Sequence, residues 1–141
     1  MIVEVTYLTK EKLLQTWIKK VASETAQKLK IKKSLSVVVV GEAKIKKINF
    51  LYRHKNKSTD VLSFEGEGDL LGEIFLCWPI AKKQAKQYGL TLKEEIARLA
   101  IHGILHLSGF DHEKGGAEAK KMFDLQDKLL GGFTKKYVSS T

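Results

Sequence analysis

The stretch TLKEEIARLAIHGILHLSGFDH, residues 91–112, carries the clearest fold signal in the chain. Thr91 and Glu94 have the spacing of a capping box, which predicts that a helix begins beside them. From Leu99 to Leu107 the side chains are apolar almost all round, so we expect this helix to be buried. Gly109 is suited to end it with a left-handed residue. A buried helix in the second half of the chain is therefore the starting point for the fold.

The same helix carries two histidines, and a third follows its end. His102 and His106 are four residues apart, so they lie on one face with about 6 Å of axial rise between them. A turn at Gly109 would let His112 point back toward them. This is the metzincin spacing, and three imidazoles leave a fourth tetrahedral position open, as in catalytic zinc sites. Each histidine could instead be an ordinary hydrogen-bonded residue, but their clustering favours one zinc ion per chain.

Gly103 stands where zinc peptidases have a glutamate that accepts a proton from the attacking water. Glycine cannot serve as that base, which disfavours a peptidase. Zinc can still lower the pKa of its water to about 7 and polarise a phosphoryl oxygen. This zinc chemistry needs no neighbouring base and is compatible with hydrolysis of a phosphodiester.

The rest of the chain predicts four strands and four further helices. The strands are expected at 2–8, 35–40, 60–64 and 70–77, and the helices from beyond residue 9 to about 29, and at 42–55, 79–88 and 117–130. The apolar side of the first of these helices includes Leu13, Leu14, Trp17, Ile18 and Val21, and the next has Ile45, Ile48 and Tyr52 at helical spacing. The last two strands flank the acidic loop EGEGD and should pair in antiparallel fashion. We expect an α+β fold with a small mixed sheet of about four strands and about five helices. The last residues, FTKKYVSST, look like a frayed tail.

Length and composition indicate one globular domain over residues 1–141, with 43% hydrophobic residues to form a core. The one cysteine, Cys77, excludes an internal disulfide framework and is expected in the core, which fits a reducing cytoplasm. The first residues do not resemble a signal peptide, and no apolar run is long enough to span a membrane. We expect a soluble, cytoplasmic protein without membrane association.

The formal net charge is +9, and all of the excess lies in the first 60 residues. Residues 1–60 contain fourteen Lys or Arg and five Asp or Glu, whereas residues 61–141 contain eleven of each. A basic half favours a polyanionic partner, with nucleic acid first and an anionic membrane surface second. The alternative is a solvated, lysine-rich surface. The candidate RNA-binding residues are Lys44, Lys47, Arg53, Lys55 and Lys57.

Three other features have two interpretations each. Arg53 could bind a phosphate with both arms of its guanidinium, or it could pair with Asp60 or Glu42 at the surface. Asp111 could hold a ligand histidine by its second ring nitrogen, or it could cap the turn. The EGEGD loop has enough carboxylates for a second metal, but such loops are usually solvated turns.

The segments INFLYRHKNKSTDVLSF, LLGEIFLC and HGILHLSGFDH, followed by a helix from Met122 to Leu130, resemble the YbeY family of small bacterial zinc proteins. The resemblance covers about residues 40 to 130. It implies a zincin-like core, zinc on the three histidines, and a functional arginine at Arg53, so that Arg53 and His102 count as catalytic. It also implies a single-strand-specific endoribonuclease that matures the 3′ end of small-subunit ribosomal RNA and acts in ribosome quality control. The partners would be ribosomal RNA and the ribosome or its small subunit, with no DNA.

Two alternatives remain open from the sequence. The protein could be a ribosome-associated RNA-binding factor whose zinc is mainly structural, or it could be another metal-dependent hydrolase. Metal removal distinguishes the first from an enzyme, because a structural zinc supports folding whereas a catalytic zinc supports activity.

Overall fold

The computed structural model describes residues 2–10, 12, 14–111, 113 and 115–133. Within these residues the elements follow in the order β1 (Val3–Tyr7), α1 (Gln15–Lys28), β2 (Ser34–Val40), α2 (Glu42–Arg53), β3 (Val61–Glu65), β4 (Leu70–Cys77), α3 (Trp78–Tyr88), α4 (Leu92–Leu107) and α5 (Gly116–Phe133). The predicted α+β fold is confirmed, with a mixed sheet of four strands and five helices among the described residues. The predicted tail after Phe133 lies outside them.

The sheet has the strand order β1-β2-β4-β3. Strand β2 runs parallel to both neighbours, with Val37 opposite Val5 on one side and Ile74 on the other. Strands β3 and β4 form the predicted antiparallel pair. Helices cover both faces of β2, which explains why its four consecutive valines are all buried. Strand β3 is left at one edge of the sheet.

The helices divide the apolar residues into two layers. The larger layer joins α1, α3, α4 and α5 to one face of the sheet, and α4 contacts all three of the other helices. The smaller layer is formed by α2 on the opposite face, where Ile45 and Ile48 pack with Val38, Val40 and Leu62. Cys77 also lies in this layer, as expected for a core residue. No described helix combines the length and apolar character that a membrane span requires.

Helix α4 begins with the predicted capping box. The Oγ1 atom of Thr91 accepts a hydrogen bond from the backbone N–H of Glu94 at 3.1 Å, and the N–H of Thr91 donates to the Glu94 carboxylate at 3.1 Å. The helix ends at Leu107, and Gly109 has the expected positive φ, 101°. Both ends of the histidine-bearing helix are thus determined by local sequence.

Two helix boundaries differ from the prediction. Helix α1 begins at Gln15 rather than just after residue 9, because Leu14 takes a left-handed conformation with φ 62° immediately before it. Leu13, expected on the apolar side of this helix, lies outside the described residues. Helix α2 ends at Arg53 rather than near Lys55, because His54 is left-handed with φ 60°.

The prediction that Tyr52 lies on the buried apolar face of α2 is wrong. Its helical spacing from Ile45 and Ile48 predicts burial, and those two isoleucines are buried, but Tyr52 is 69% exposed. The third buried residue of the helix is Asn49. The last turn of α2 therefore extends past the apolar layer that covers its first two turns.

Gly103 allows α4 to lie very close to strands β3 and β4. A Cβ atom at this position would lie 2.8 Å from Cδ1 of Ile74 and 3.0 Å from Oγ of Ser63. Across the contact, a Cβ at Gly72 would lie 2.8 Å from Cδ2 of Leu107. A helix with a side chain at position 103 could approach the edge of the sheet this closely only if its neighbours moved.

We predict that Gly103→Ala lowers the free energy of unfolding by about 1–3 kcal/mol, because the added methyl group overpacks the contact. This loss should appear although alanine is the better helix former by about 1 kcal/mol. Gly131→Ala in α5 is the matched control, since a Cβ there would meet nothing within 4 Å. Urea unfolding followed by circular dichroism measures both, and equal stability changes would contradict the close approach.

Candidate functional site

A cleft of about 200 Å³ opens between α4, the last turns of α2 and strand β3 with the loop before it. His102 and His106 line it together with Arg53, Lys55 and Lys57. Five of the residues that the sequence singled out therefore share one cleft. Lys44 and Lys47 line a different concavity. His112, the third predicted ligand, lies outside the described residues.

Helix α5 holds the ring of His102. Its Nδ1 atom lies 2.8 Å from Oε1 of Gln126, and the ring stacks on Phe123 with centroids 6.3 Å apart at 30°. When Nδ1 carries the proton it donates to the amide oxygen, and Nε2 is left as the electron-pair donor. Gln126 is only 3% exposed, so its amide has little freedom to turn away. In this tautomer the ring is held with Nε2 as the atom that can ligate a metal.

The sequence prediction missed Gln126. A signal was present, because Gln126 lies four residues after Met122 and three before Leu129, and both of these residues are buried. A polar residue within an otherwise apolar helix face indicates a buried hydrogen bond. The spacing could not identify His102 as its partner, because the two residues belong to different helices.

The donors present in the cleft fit a zinc ion. His102 and His106 supply imidazole nitrogens, which suit zinc, and His102 already has the hydrogen bond to its other nitrogen that zinc ligands require. Within the described ranges, which exclude His112, no group of three or more metal-binding side chains comes together. This includes the acidic EGEGD loop, so a second metal at that loop is not supported.

Gly103 has a structural reason to be glycine. Its missing Cβ points at Ile74 and Ser63 of the sheet rather than into open space. A glutamate at this position would have to displace the side chains of Ile74 and Ser63 before its carboxylate could serve as a base. The close helix–sheet contact and the peptidase base are therefore incompatible here.

Arg53 is held at the wall of the cleft. Its Nη2 atom donates to the backbone oxygen of Ser63 at 3.0 Å, and its guanidinium carbon lies 5.5 Å from the centroid of the Phe64 ring. Its Nε atom is buried and has no hydrogen-bond partner within the part of the chain that the structure describes. Arg53 therefore retains donor capacity for an anion.

The alternative, a surface ion pair of Arg53 with Asp60 or Glu42, is not what the structure shows. Asp60 lies 3.8 Å from Arg98 instead, and its Oδ1 atom accepts the backbone N–H of Val61 at 2.8 Å. Arg98 also donates two hydrogen bonds to the buried carboxylate of Glu95, at 2.6 and 2.8 Å. These hydrogen bonds raise the pKa of Arg98 above its already high usual value. Arg98 is thus committed to structure, which leaves Arg53 as the arginine of the cleft.

Asn49 positions the lysines of the cleft, a role that the sequence prediction also missed. This residue is 2% exposed, and its Nδ2 atom donates to the backbone oxygen of Lys57 at 3.0 Å. Its own backbone oxygen accepts the N–H of Lys55 at 3.3 Å. The loop that carries both lysines is therefore tied to α2.

Asp111 shows the contact of a turn cap, because its Oδ1 atom accepts the backbone N–H of Glu113 at 2.9 Å. Its proposed support of a ligand histidine stays a prediction.

Burial raises the pKa of the Cys77 thiol, so this residue is poorly suited to act as a nucleophile.

The fold and the cleft define a small α+β protein in which a histidine-bearing helix faces a cationic cleft. A sequence model described as endoribonuclease YbeY matches residues 3–134. The chain belongs to the endoribonuclease YbeY family.

Similar proteins cover most of the chain. Endoribonuclease YbeY of Bdellovibrio bacteriovorus is 40% identical over 131 residues, which cover 89% of this chain and 87% of the relative. The protein of the same name from Thermosipho melanesiensis is 38% identical over 130 residues, with 92% and 94% covered. A solution structure of a Thermotoga maritima protein aligns with a TM-score of 0.74 at 31% identity, covering 99% of this chain and 93% of that one.

Proposed function

We propose that this protein is a zinc-dependent, single-strand-specific endoribonuclease that acts in 3′-end maturation of small-subunit ribosomal RNA and in ribosome quality control. The observation that carries the proposal is that Arg53 shares one cleft with His102 and His106. Membership of a family of endoribonucleases supports RNA as the substrate. Ribosomal RNA and the small subunit as partners follow from the resemblance noted in the sequence.

The proposed metal ligands are His102, His106 and His112. When bound, zinc would supply a Lewis acid that polarises a phosphoryl oxygen and lowers the pKa of water. Gln126 orients the ring of His102, because its contact with Nδ1 keeps the Nε2 atom available for a ligand. Because both residues lie on α4, whose other face is buried, the helix backbone holds the two histidines about one turn apart.

Arg53 is the proposed phosphate-binding residue. Its guanidinium is anchored at one end by Ser63 and presents its remaining donors to the non-bridging oxygens of the scissile phosphate. Negative charge on those oxygens grows in the transition state, so a fixed cation stabilises the transition state more than the ground state. Lys55 and Lys57 add positive charge along the path of the strand.

The size of the cleft supports single-stranded RNA. A volume of about 200 Å³ accommodates a phosphodiester and its immediate neighbours but not a double helix. Unpaired RNA can separate its bases and follow such a groove, whereas a duplex is bound by its outer shape. A peptidase remains disfavoured, because the position of the usual catalytic glutamate is occupied by Gly103 in contact with the sheet.

His106→Ala should lose most of the bound zinc, because an imidazole of the proposed site is removed. Metal analysis of protein purified without added zinc should find about one ion per chain in the wild type. His54→Ala is the control, since His54 lies outside the cleft, at the end of α2. Wild-type zinc content in the His106 variant would exclude that histidine as a ligand.

Gln126→Leu should weaken zinc binding about 10- to 100-fold while leaving the fold intact, because it removes the oxygen that orients His102. Gln126→Glu keeps an acceptor oxygen and should retain tighter binding than the leucine variant. Competition with a chromophoric chelator measures the zinc affinity, and circular dichroism checks the fold. Unchanged affinity in both variants would mean that the His102–Gln126 contact does not support the metal.

Arg53→Ala should cleave single-stranded RNA at least about a hundredfold more slowly, because removing one transition-state donor costs about 2.7–4 kcal/mol. Arg53→Met keeps an unbranched stem over Phe64 and should be as slow, whereas Arg53→Lys should recover part of the rate. All three variants should keep their zinc.

The assay uses zinc-loaded protein with unstructured RNA and with precursor ribosomal RNA, followed by identification of the product ends. Cleavage should stop when zinc is chelated and return when zinc is restored, while the fold persists throughout. Near-normal rates in Arg53→Met would remove Arg53 from the site. Zinc-loaded wild type that binds RNA without cleaving it, and unfolds when zinc is removed, would favour the RNA-binding factor instead.

A further inference from the structure

A second concavity lies across strand β3 from the cleft. It has a volume of about 410 Å³, and its wall is formed by Lys44, Lys47, Ile48, Leu51, Tyr52, Phe64, Glu73 and Phe75. We call it the aromatic groove. Successive residues of a strand point to opposite faces, and Ser63 lines the cleft whereas Phe64 lines the groove. The two concavities are therefore separated by a single edge strand.

Arg53 connects the two concavities. One end of its guanidinium donates to the Ser63 backbone oxygen, and the guanidinium also lies over the Phe64 ring. A chain that leaves the cleft past Arg53 therefore reaches the aromatic groove next.

The groove presents one largely exposed aromatic ring, that of Tyr52, beside the half-buried rings of Phe64 and Phe75. Tyr52 is 69% exposed, although its spacing in α2 predicts burial. Its ring centroid lies 5.5 Å from that of Phe64, which in turn lies 5.8 Å from that of Phe75, both in edge-to-face geometry. Leu51, in the same wall, is 56% exposed. Exposed, ordered rings of this kind are the platforms on which proteins stack unpaired bases.

The charges of the groove favour a nucleic-acid strand over a purely apolar partner. Lys44 and Lys47 are exposed, and neither takes part in an ion pair within the described residues. They can receive the phosphates of a strand whose bases lie on the rings. Glu73 on the opposite wall would repel a phosphate, but its carboxylate can accept a hydrogen bond from an exocyclic amine such as that of cytosine.

We infer that the aromatic groove binds unpaired bases of the RNA strand that flank the phosphate held in the cleft. This inference rests on the proposed function, because it requires RNA in the cleft. Bases within a duplex are paired and stacked on each other, so their faces cannot lie on Tyr52. The groove thus selects single strands at a position separate from the site of cleavage.

The test compares Tyr52→Ala with Tyr88→Ala, which removes a similarly exposed tyrosine (59%) from the end of α3. Zinc-loaded proteins are titrated into two fluorescent 2′-O-methyl RNA oligonucleotides, shown on a gel to remain intact. One is an unstructured strand long enough to span both concavities, and the other is a trinucleotide that is abasic at both ends, so that it offers a phosphodiester to the cleft but no flanking base to the groove. Fluorescence anisotropy gives the affinities.

Tyr52→Ala should weaken binding of the long strand about fivefold to a hundredfold, the range for one stacked base, and leave the trinucleotide unaffected. Tyr88→Ala should change neither affinity, and Tyr52→Phe should behave as the wild type. Abasic sites at the flanking positions of the long strand should weaken its binding to the wild type by the same factor. They should not weaken its binding to Tyr52→Ala any further. Wild-type affinity of Tyr52→Ala for the long strand, or a full abasic penalty in that variant, would overturn the inference.

The result is distinguishable from a failure of the proposed activity, because binding is measured without cleavage. If the wild type cleaves RNA and Tyr52→Ala binds normally, the groove serves another purpose, such as contact with a protein, and the inference alone fails. The wild type could instead cleave no RNA while Tyr52→Ala and the abasic sites still weaken binding by the same factor. The groove would then be supported as an RNA-binding site, and only the proposed cleavage would fail.

Discussion

The contact between helix α4 and the edge of the sheet at Gly103 is the constraint on which the rest of the site depends. The histidines lie on α4, whereas the backbone oxygen that anchors Arg53 belongs to Ser63 in β3. The two groups share a cleft of about 200 Å³ because no side chain separates the helix from the strand at Gly103. The same close contact therefore disfavours a peptidase glutamate at position 103, and with it peptide hydrolysis as the activity of the site.

Three residues that line the cleft are held by a partner from another element. Gln126 of α5 holds His102 of α4, Ser63 of β3 holds Arg53 of α2, and Asn49 of α2 holds the backbone of Lys57 in the following loop. Such contacts lower the conformational entropy that binding would otherwise have to remove.

The sequence predicted the features that depend on local signals and missed those that depend on where distant elements end. The capping box at Thr91, the burial of α4 and the antiparallel β3–β4 pair were readable because each is determined by neighbouring residues or by periodicity. The exposure of Tyr52 was not readable, because it depends on how the last turn of α2 lies against the edge of the sheet at β3. The role of Gln126 was missed for a similar reason, since its partner is 24 residues away on another helix. The predicted ligand His112 lies outside the described residues and stays a prediction.

Positively charged side chains from the first 60 residues lie on both sides of strand β3. Lys44 and Lys47 lie on the side of the aromatic groove, Lys55 and Lys57 lie on the side of the cleft, and Arg53 stands between the two pairs. In the second half of the chain, Arg98 and Lys120 pair with carboxylates. The five cations that line the two concavities belong to one continuous segment, α2 and its following loop, which bends around the edge of the sheet. A flexible polyanion can follow such a bend and neutralise charge on both sides, whereas a stiff duplex contacts one side at a time, so the arrangement of charge favours a single strand independently of the aromatic rings.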